Sequence, residues 1–473
     1  MNFRKTKIIC TIGPAIENEK MLHKMFNAGM NVARLNFSHG SHEEALERMK
    51  LIRSTALKVS KHIGIMLDTK GPEIRVGNFE NGSCTFKKGD IVTLVKDEVI
   101  GNSEKFYVNC KEFFSDINVG NELLIDDGKI SLTVLEKCED AIKCKFNIGG
   151  TVKNKKGINV PGVSLSMPFI SKRDYNDILF GVKEGVDLIA LSFVRRADDV
   201  MEVRKLLKEL NAPKIEIISK IENQEALDNI DEIIEVSDGI MVARGDLGVE
   251  VQTEMVPLYQ KSIIKKANSC GKPVITATHM MESMIDSPRP TRAEASDVAN
   301  AILDGSDAIM LSGESAIGKY PVESVKYMDK IARAVEATID YHEKLIESQK
   351  SNSNSLNDAI GACISQICIT LKKAEAIFAF TETGGTAKRI CKFRPSAPII
   401  ACTDTPETCR RLSYYWGVYP VVTEYVNDVE VSDGIAKCVA NDLNLKVGSN
   451  IILTNGFGQK HGVTNTIRII EVE

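Results

Sequence analysis

Residues 214–246 read KIEIISKIENQEALDNIDEIIEVSDGIMVARGD. The stretch opens on a short apolar run, Lys214–Ser219, and closes on another, Gly239–Ala243. Between them, Asn223–Val236 places Leu227, Ile230, Ile233 and Ile234 on one helical face. Apolar strands joined through a helix lie parallel, with both faces of their sheet covered. Six more such runs, Lys7–Ile12, Asn31–Phe37, Ile63–Leu67, Asp187–Phe193, Pro273–Ala277 and Asp307–Leu311, bring the total to eight. Helical patterns separate most of them. After Pro290, Thr291-Arg292-Ala293-Glu294 is a capping box that opens a helix through Val298 and Ile302. Eight such units predict an α/β fold of the (β/α)8 (TIM) barrel type, with a doubly wound open sheet as the alternative at this level.

One interval breaks the rhythm. Residues 72–169 alternate apolar and polar positions between turn signals, among them Asn81-Gly82, Lys88-Gly89-Asp90 and the hairpin Leu124–Ile130 around Asp127-Gly128. This predicts a small β-barrel lid inserted after the third barrel strand, on the face where barrel active sites form. The barrel then comprises residues 1–71 and 170–347. A polar stretch, Ser348–Asn357, leads into a C-terminal α/β domain, residues 355–473, with β-runs at Ala376–Phe380, Pro398–Thr403, Val418–Val422 and Ile451–Leu453.

Composition excludes several classes. The 473 residues carry 60 Lys and Arg against 64 Asp and Glu, a net charge of −4, and no long basic block. Nucleic acid is therefore not expected as a partner. No run is long enough to span a membrane, and the N-terminus lacks the apolar core of a secretory signal. The 12 cysteines never fall in a Cys-x-x-Cys pattern, which predicts free thiols and a cytoplasmic location.

Chemistry gathers where the predicted strands end. Lys220 and Glu222 stand two apart at the end of one strand, and Arg244 and Asp246 at the end of the next, so each pair should share a side. Burying such charges is costly unless they hold an ion or a charged substrate, so the set suggests a metal gripping an anion, most simply a phosphate. Glu222 and Asp246, from adjacent strands, suit Mg²⁺; an ordinary ion network is the alternative. Asn36, Ser38, Asp68 and Thr69 offer neutral oxygens and one carboxylate, which suits a monovalent cation, although such residues at strand ends more commonly cap turns and helices. Arg34 and Arg75 are candidate anion clamps. Lys156, in Lys155-Lys156-Gly157, reads either as a nucleotide-phosphate contact or as part of a solvated basic loop. In the last domain, Thr381-Glu382-Thr383-Gly384-Gly385-Thr386 joins a strand to a helix, either as an anion cradle or as a simple cap.

These residues resemble the pyruvate kinase family. The motifs run nearly end to end: Lys5–Pro14, Gly29–Gly40, Leu67–Arg75, Ile217–Asn223, Ser237–Gly248, Pro288–Asn300 and Ile309–Ala316. The resemblance implies transfer of the phosphoryl group of phosphoenolpyruvate to ADP, giving pyruvate and ATP, with Mg²⁺ (or Mn²⁺) and K⁺. It implies that Lys220 stabilises the moving phosphoryl group and that Glu222 and Asp246 hold Mg²⁺. Asn36, Ser38, Asp68 and Thr69 match the K⁺ site, and Glu73 matches the glutamate of K⁺-dependent members. Arg34, Gly245 and Thr278 match positions around the enolpyruvate unit, and Arg75 and Lys156 match nucleotide contacts. Asp246 would also face the substrate, and Thr278 would relay a proton through water to the enolate carbon. The loop Thr381, Thr383, Gly384, Gly385 and Thr386 resembles the site for a phosphorylated allosteric activator. A homotetramer is the family's usual state. His279 departs from the pattern, standing where the family more often has Gln, and with Glu473 as the last residue read, the extra C-terminal domain of some bacterial members is not expected. The rival readings are a Mg²⁺-dependent enolpyruvate lyase or aldolase on a similar barrel, and a non-catalytic regulatory relative.

Overall fold

The computed structural model describes residues 3–351, 355–371, 374–424, 426, 428–456 and 464–473. Eight strands close a parallel barrel: β1 (Lys7–Thr11), β2 (Val32–Asn36), β3 (Gly64–Asp68), β4 (Leu188–Leu191), β5 (Glu216–Ile221), β6 (Gly239–Ala243), β7 (Val274–Ala277) and β8 (Ala308–Leu311). Closure is made by β1 against β8, with Lys7 opposite Ala308 and Cys10 opposite Leu311. Each of the eight apolar runs supplies one strand. Their side chains are buried on both faces, which is why the runs are continuous rather than alternating. The open-sheet alternative is therefore excluded.

The helix expected over Asn223–Val236 is two helices, Gln224–Asp228 and Ile230–Val236, broken at Asn229. The Asn223 side chain caps the first by accepting from Ala226 N at 2.8 Å, and Asn229 ends it while its own amide reaches Arg195 O at 3.1 Å. The capping box at Thr291 and Glu294 is present and opens the helix Arg292–Asp304.

Between β3 and β4 the chain builds a separate β domain. Seven strands run, edge to edge, from Ile74–Arg75 to Lys105–Tyr107. The two edges meet through the Val76–Val108 bridge and the bond from Gly77 N to Tyr107 O at 2.8 Å, so the sheet curls into a small barrel around Phe79, Phe86, Phe106, Phe146 and Leu132. The hairpin joining Glu122–Ile125 to Ile130–Lys137 turns through Asp126, Asp127 and Gly128, with φ of +56°, +57° and +81°. Asp and Gly tolerate that left-handed region better than other residues.

The C-terminal domain is a five-stranded sheet in the order Val418–Val422, Ile399–Thr403, Ala374–Phe380, Asn450–Asn455 and Thr466–Glu471. The last strand is antiparallel and lies outside the expected β-runs; its Thr-Ile-Arg-Ile-Ile-Glu sequence breaks strict alternation at Ile469-Ile470 and belongs to a half-exposed edge. The polar stretch 348–357 is only partly linker: the helix Tyr341–Gln349 runs into it and the helix Leu356–Thr370 starts inside it, while residues 352–354 lie outside the described residues.

This domain docks against the N-terminal ends of the barrel strands through three buried carboxylates. Asp187, before β4, accepts from Arg410 Nε at 2.9 Å. Glu216, the first residue of β5, pairs with Lys388 and accepts from the Tyr414 and Tyr415 hydroxyls at 2.6 and 3.1 Å. Asp307, before β8, takes both arms of Arg394 at 2.9 Å each. The opposite, C-terminal ends of the strands face the inserted domain.

Candidate functional site at the strand C-termini

Asp68 ends β3 and lies between two cations. Arg34 Nε, from β2, donates to Asp68 Oδ2 at 2.6 Å, and Lys220 Nζ, from β5, donates to Asp68 Oδ1 at 3.2 Å. Lys220 Nζ also stands 2.8 Å from Glu222 Oε1. Asp68 is 1% exposed, Lys220 7% and Glu222 0%. Burial alone would raise the Asp68 pKa, but Arg34 and Lys220 hold it below the usual carboxylate value. Lys220 is held firmly protonated: Asp68, Glu222 and Asp246 outweigh the cost of burying its charge. Burial, reinforced by Asp246 and only partly offset by Lys220, pushes the Glu222 carboxyl up to about 7.

Arg244 and Asp246 correct the expected strand-end pairing. They lie in a short helix, Arg244–Glu250, that starts where β6 stops, so two-residue strand alternation does not apply to them. Arg244 is engaged within the protein: it pairs with Asp297 at 2.7 Å and donates to Thr278 O at 2.7 Å. Gly245 N donates to Thr278 Oγ1 at 2.7 Å, and a Cβ at Gly245 would stand 3.3 Å from that hydroxyl. The Thr278 hydroxyl in turn donates to Ala277 O at 2.6 Å. Thr278 and His279 both adopt left-handed backbone, φ +68° and +51°. In a β-branched residue this costs on the order of 1–3 kcal/mol.

The residues present fit a divalent cation. Three carboxylates, Asp68, Glu222 and Asp246, act on the Lys220 ammonium, and among the described residues Glu222 Oε1 makes no hydrogen bond of acceptable geometry although Lys220 is near. Two acids with a raised pKa on one of them suit Mg²⁺, which takes one or two carboxylates and fills its shell with water and substrate oxygens. Among the described residues no group of three or more His, Cys, Asp and Glu forms a protein-only metal cage.

Asn36 and Asp68 are register partners on β2 and β3; Ser38 lies two residues past Asn36 and Thr69 directly follows Asp68. Each of these side chains except Ser38 already makes a local bond: Asn36 Oδ1 accepts from Ser38 N at 3.0 Å and Thr69 Oγ1 from Ser192 N at 3.2 Å. The oxygens thus serve as caps while keeping further lone pairs, as a weakly held monovalent ion requires.

A cleft of about 530 Å³ opens between the inserted domain and the barrel. Arg75, Lys156 and Asp246 line it together with Glu73, Asp126 and Glu250. Arg75 is paired with Glu73 at 2.7 Å, and Lys156 with Asp126 at 2.6 Å. Glu73 also receives Lys70 at 3.1 Å. Asn159 of the inserted domain donates to Glu250 at 2.7 Å, joining that domain to the Arg244–Glu250 helix. The loop from Thr381 to Thr386 lies apart from all of this, in the C-terminal domain. Gly384, at φ +91°, caps the helix Gly385–Lys392, and its N–H is taken by Thr381 Oγ1 at 3.0 Å.

Two residues escape a reading of the sequence, Ser192 and Phe193, just past β4. Ser192 Oγ accepts from Lys220 Nζ at 2.7 Å, and Phe193 N donates to Glu222 Oε2 at 2.6 Å. Neither is charged, so a search for strand-end charges passes over them.

A parallel barrel with a buried lysine–carboxylate cluster at its strand ends, a β domain over one face and an α/β domain on the other defines a barrel enzyme built to hold an anion. Family models agree: "Pyruvate kinase, barrel domain" matches residues 3–325 and "Pyruvate kinase, alpha/beta domain" residues 358–470. The pyruvate kinase of Staphylococcus epidermidis is 51% identical over 472 residues, covering 98% of this chain and 80% of that protein. That of Bacillus licheniformis is 51% identical over 474 residues, covering 99% and 80%. A crystal structure of a pyruvate kinase from Cryptosporidium parvum superposes with a TM-score of 0.95 at 42% identity, covering 99% of this chain and 96% of that one. The chain belongs to the pyruvate kinase family. Its function is glycolytic phosphoryl transfer from phosphoenolpyruvate to ADP, giving pyruvate and ATP.

Proposed function

We propose that Lys220 meets the phosphoryl group in transit, with Arg34 as the second cation on the phosphoenolpyruvate side. The observation that carries this is the Lys220 ammonium, buried and charged among Asp68, Glu222 and Asp246 at the barrel's C-terminal face. Phosphoryl transfer is mostly positioning and charge neutralisation, which fixed cations in a water-poor site supply. Glu222 and Asp246 would hold Mg²⁺ (or Mn²⁺), and Asn36, Ser38, Asp68 and Thr69 would hold K⁺. The bound cations would neutralise phosphate charge as it shifts from one oxygen to another. Gly245 and Thr278 face the enolpyruvate unit together, their amide and hydroxyl already joined. With its proton engaged by the Ala277 carbonyl, Thr278 would serve as one station for a water-borne proton to the enolate carbon rather than as a direct acid. Arg75 and Lys156 would take the ADP phosphates by exchanging Glu73 and Asp126 for them.

The same reading places the protein in the cytoplasm as a homotetramer. It also assigns a phosphorylated activator to Thr381, Thr383, Gly384, Gly385 and Thr386, supported by the strand–loop–helix geometry there. Among the described residues no helix is long and apolar enough to cross a membrane, and all twelve cysteines are free.

The test follows pyruvate release from phosphoenolpyruvate with and without ADP, Mg²⁺ and K⁺. Release should require all three, and release indifferent to ADP would transfer the site to the lyase reading. Lys220→Met should lower kcat by about a thousandfold or more when assayed at a temperature where the variant stays folded, and near-normal turnover would remove Lys220 from its role.

A further inference from the structure

We propose that Ser192 is a positioning residue that aims the Lys220 ammonium at the transferring phosphoryl group, an inference that rests on the role assigned to Lys220 above. An ammonium has three N–H bonds and rotates freely unless they are held. Lys220 Nζ has three near neighbours: Ser192 Oγ at 2.7 Å, Asp68 Oδ1 at 3.2 Å and Glu222 Oε1 at 2.8 Å. Among the described residues Ser192 and Asp68 accept with hydrogen-bond geometry, and Glu222 Oε1 has no such bond. Two N–H bonds are thereby fixed toward β3 and the β4 end, and the third is left to the side where Glu222 stands, the side a phosphoryl oxygen would share with the metal ligands.

Ser192 can do this because it is itself held at several points. Its hydroxyl has one proton, and Thr69 O at 2.7 Å is the nearer of two acceptors, Asp68 Oδ1 lying at 3.2 Å. The lone pairs therefore face Lys220. Its backbone N–H donates to Thr69 Oγ1 at 3.2 Å, and the side chain is 3% exposed. Gly71 packs so closely that a Cβ there would lie 2.8 Å from the Ser192 carbonyl. The next residue, Phe193, adopts φ +56°, an unusual conformation for a bulky aromatic, and in it the Phe193 N–H reaches Glu222 Oε2 at 2.6 Å. One strained turn thus orients both the cation, through the Ser192 hydroxyl, and the acid beside it, through the Phe193 amide.

Ser192→Ala removes one hydroxyl from a buried site and frees an N–H of Lys220 to rotate. The expected result is a kcat about 10–100-fold lower, in the range that misplacing a catalytic group costs. The KM for phosphoenolpyruvate should stay within about threefold of the parent, the mark of an interaction made in the transition state. The melting temperature should stay within a few degrees, and in a Lys220→Met background the same change should add no further loss. A kcat within about twofold of the parent, with Lys220→Met crippled, would overturn the role of Ser192 and leave Lys220 standing. So would an equal loss in both backgrounds, or a fall in melting temperature with kcat and KM impaired together. A near-normal Lys220→Met would instead overturn the reading of Lys220 itself.

Discussion

Thr278 sits in backbone that a β-branched residue avoids, at φ +68°, and His279 follows it there at +51°. The conformation is held from three sides: Arg244 on the Thr278 carbonyl, Gly245 N on its hydroxyl, and that hydroxyl on Ala277 O. Strain kept at a site by its surroundings is a trade of stability for geometry. Thr278→Gly should therefore melt no lower than the parent while kcat falls at least about tenfold, and a variant that loses stability and activity together would contradict this. At the same scale, Arg244 was legible as a charge but not in its partner: Asp297 lies in another element, and only the fold brings it within 2.7 Å. Ser192 was not legible at all, because a neutral hydroxyl at a strand end resembles any cap until the lysine it faces is in place.

Among elements, β5 has the most dependents. It begins at Glu216, held by Lys388 and two tyrosine hydroxyls, and reaches Lys220 just before its end. Removing one member of a buried pair leaves a charge uncompensated, at a cost of roughly 3–5 kcal/mol. Lys388→Met should thus lower the melting temperature markedly, and adding Glu216→Gln should restore part of the loss, as thermal unfolding would record; equal melting of the single and double variants would refute the pairing. The barrel strands were legible because each is buried on both faces and so apolar throughout. The Asn229 break and the Thr466–Glu471 strand were not. The first depends on an asparagine bonded to Arg195 O in another loop, and the second on a short, half-exposed edge whose sequence breaks alternation at Ile469-Ile470. The Arg244–Glu250 helix hid for a related reason: Met241–Asp246 reads as one run, and the chain turns helical at its charges.

For the whole molecule, the inserted domain and the barrel meet over the cleft with two of its cations, Arg75 and Lys156, already paired. Lys156 holds Asp126 below its usual pKa, and under the proposed nucleotide role ADP would compete with that carboxylate. Asp126→Asn should lower the KM for ADP about 2–5-fold, the value of an exposed ion pair, with an effect that shrinks in high salt; an unchanged KM would show that Lys156 does not meet the nucleotide. On the other side of the barrel, Lys7 is buried against the C-terminal domain, donating to Val418 O at 2.6 Å and lying 3.9 Å over the Tyr419 ring. Burial, with Arg4 adding and Glu336 and Cys391 opposing, pushes its pKa down to about 7. Between that value and the unfolded value the unfolded chain binds more protons, so stability rises with pH across that window and is lost below it. Melting curves of the parent and Lys7→Met from pH 7 to 10 should show the parent gaining on the variant as pH rises; a constant gap would refute the shift. The closure of the barrel also bears on how the chain comes off the ribosome. Strand β1 emerges first yet must wait for β8, and β3 must wait past an entire inserted domain for β4. The inserted domain, whose strands pair only with one another, is therefore free to form while the first three strands still present an unfinished edge, and that edge is the interval in which a nascent chain of this kind is most exposed to association with its neighbours.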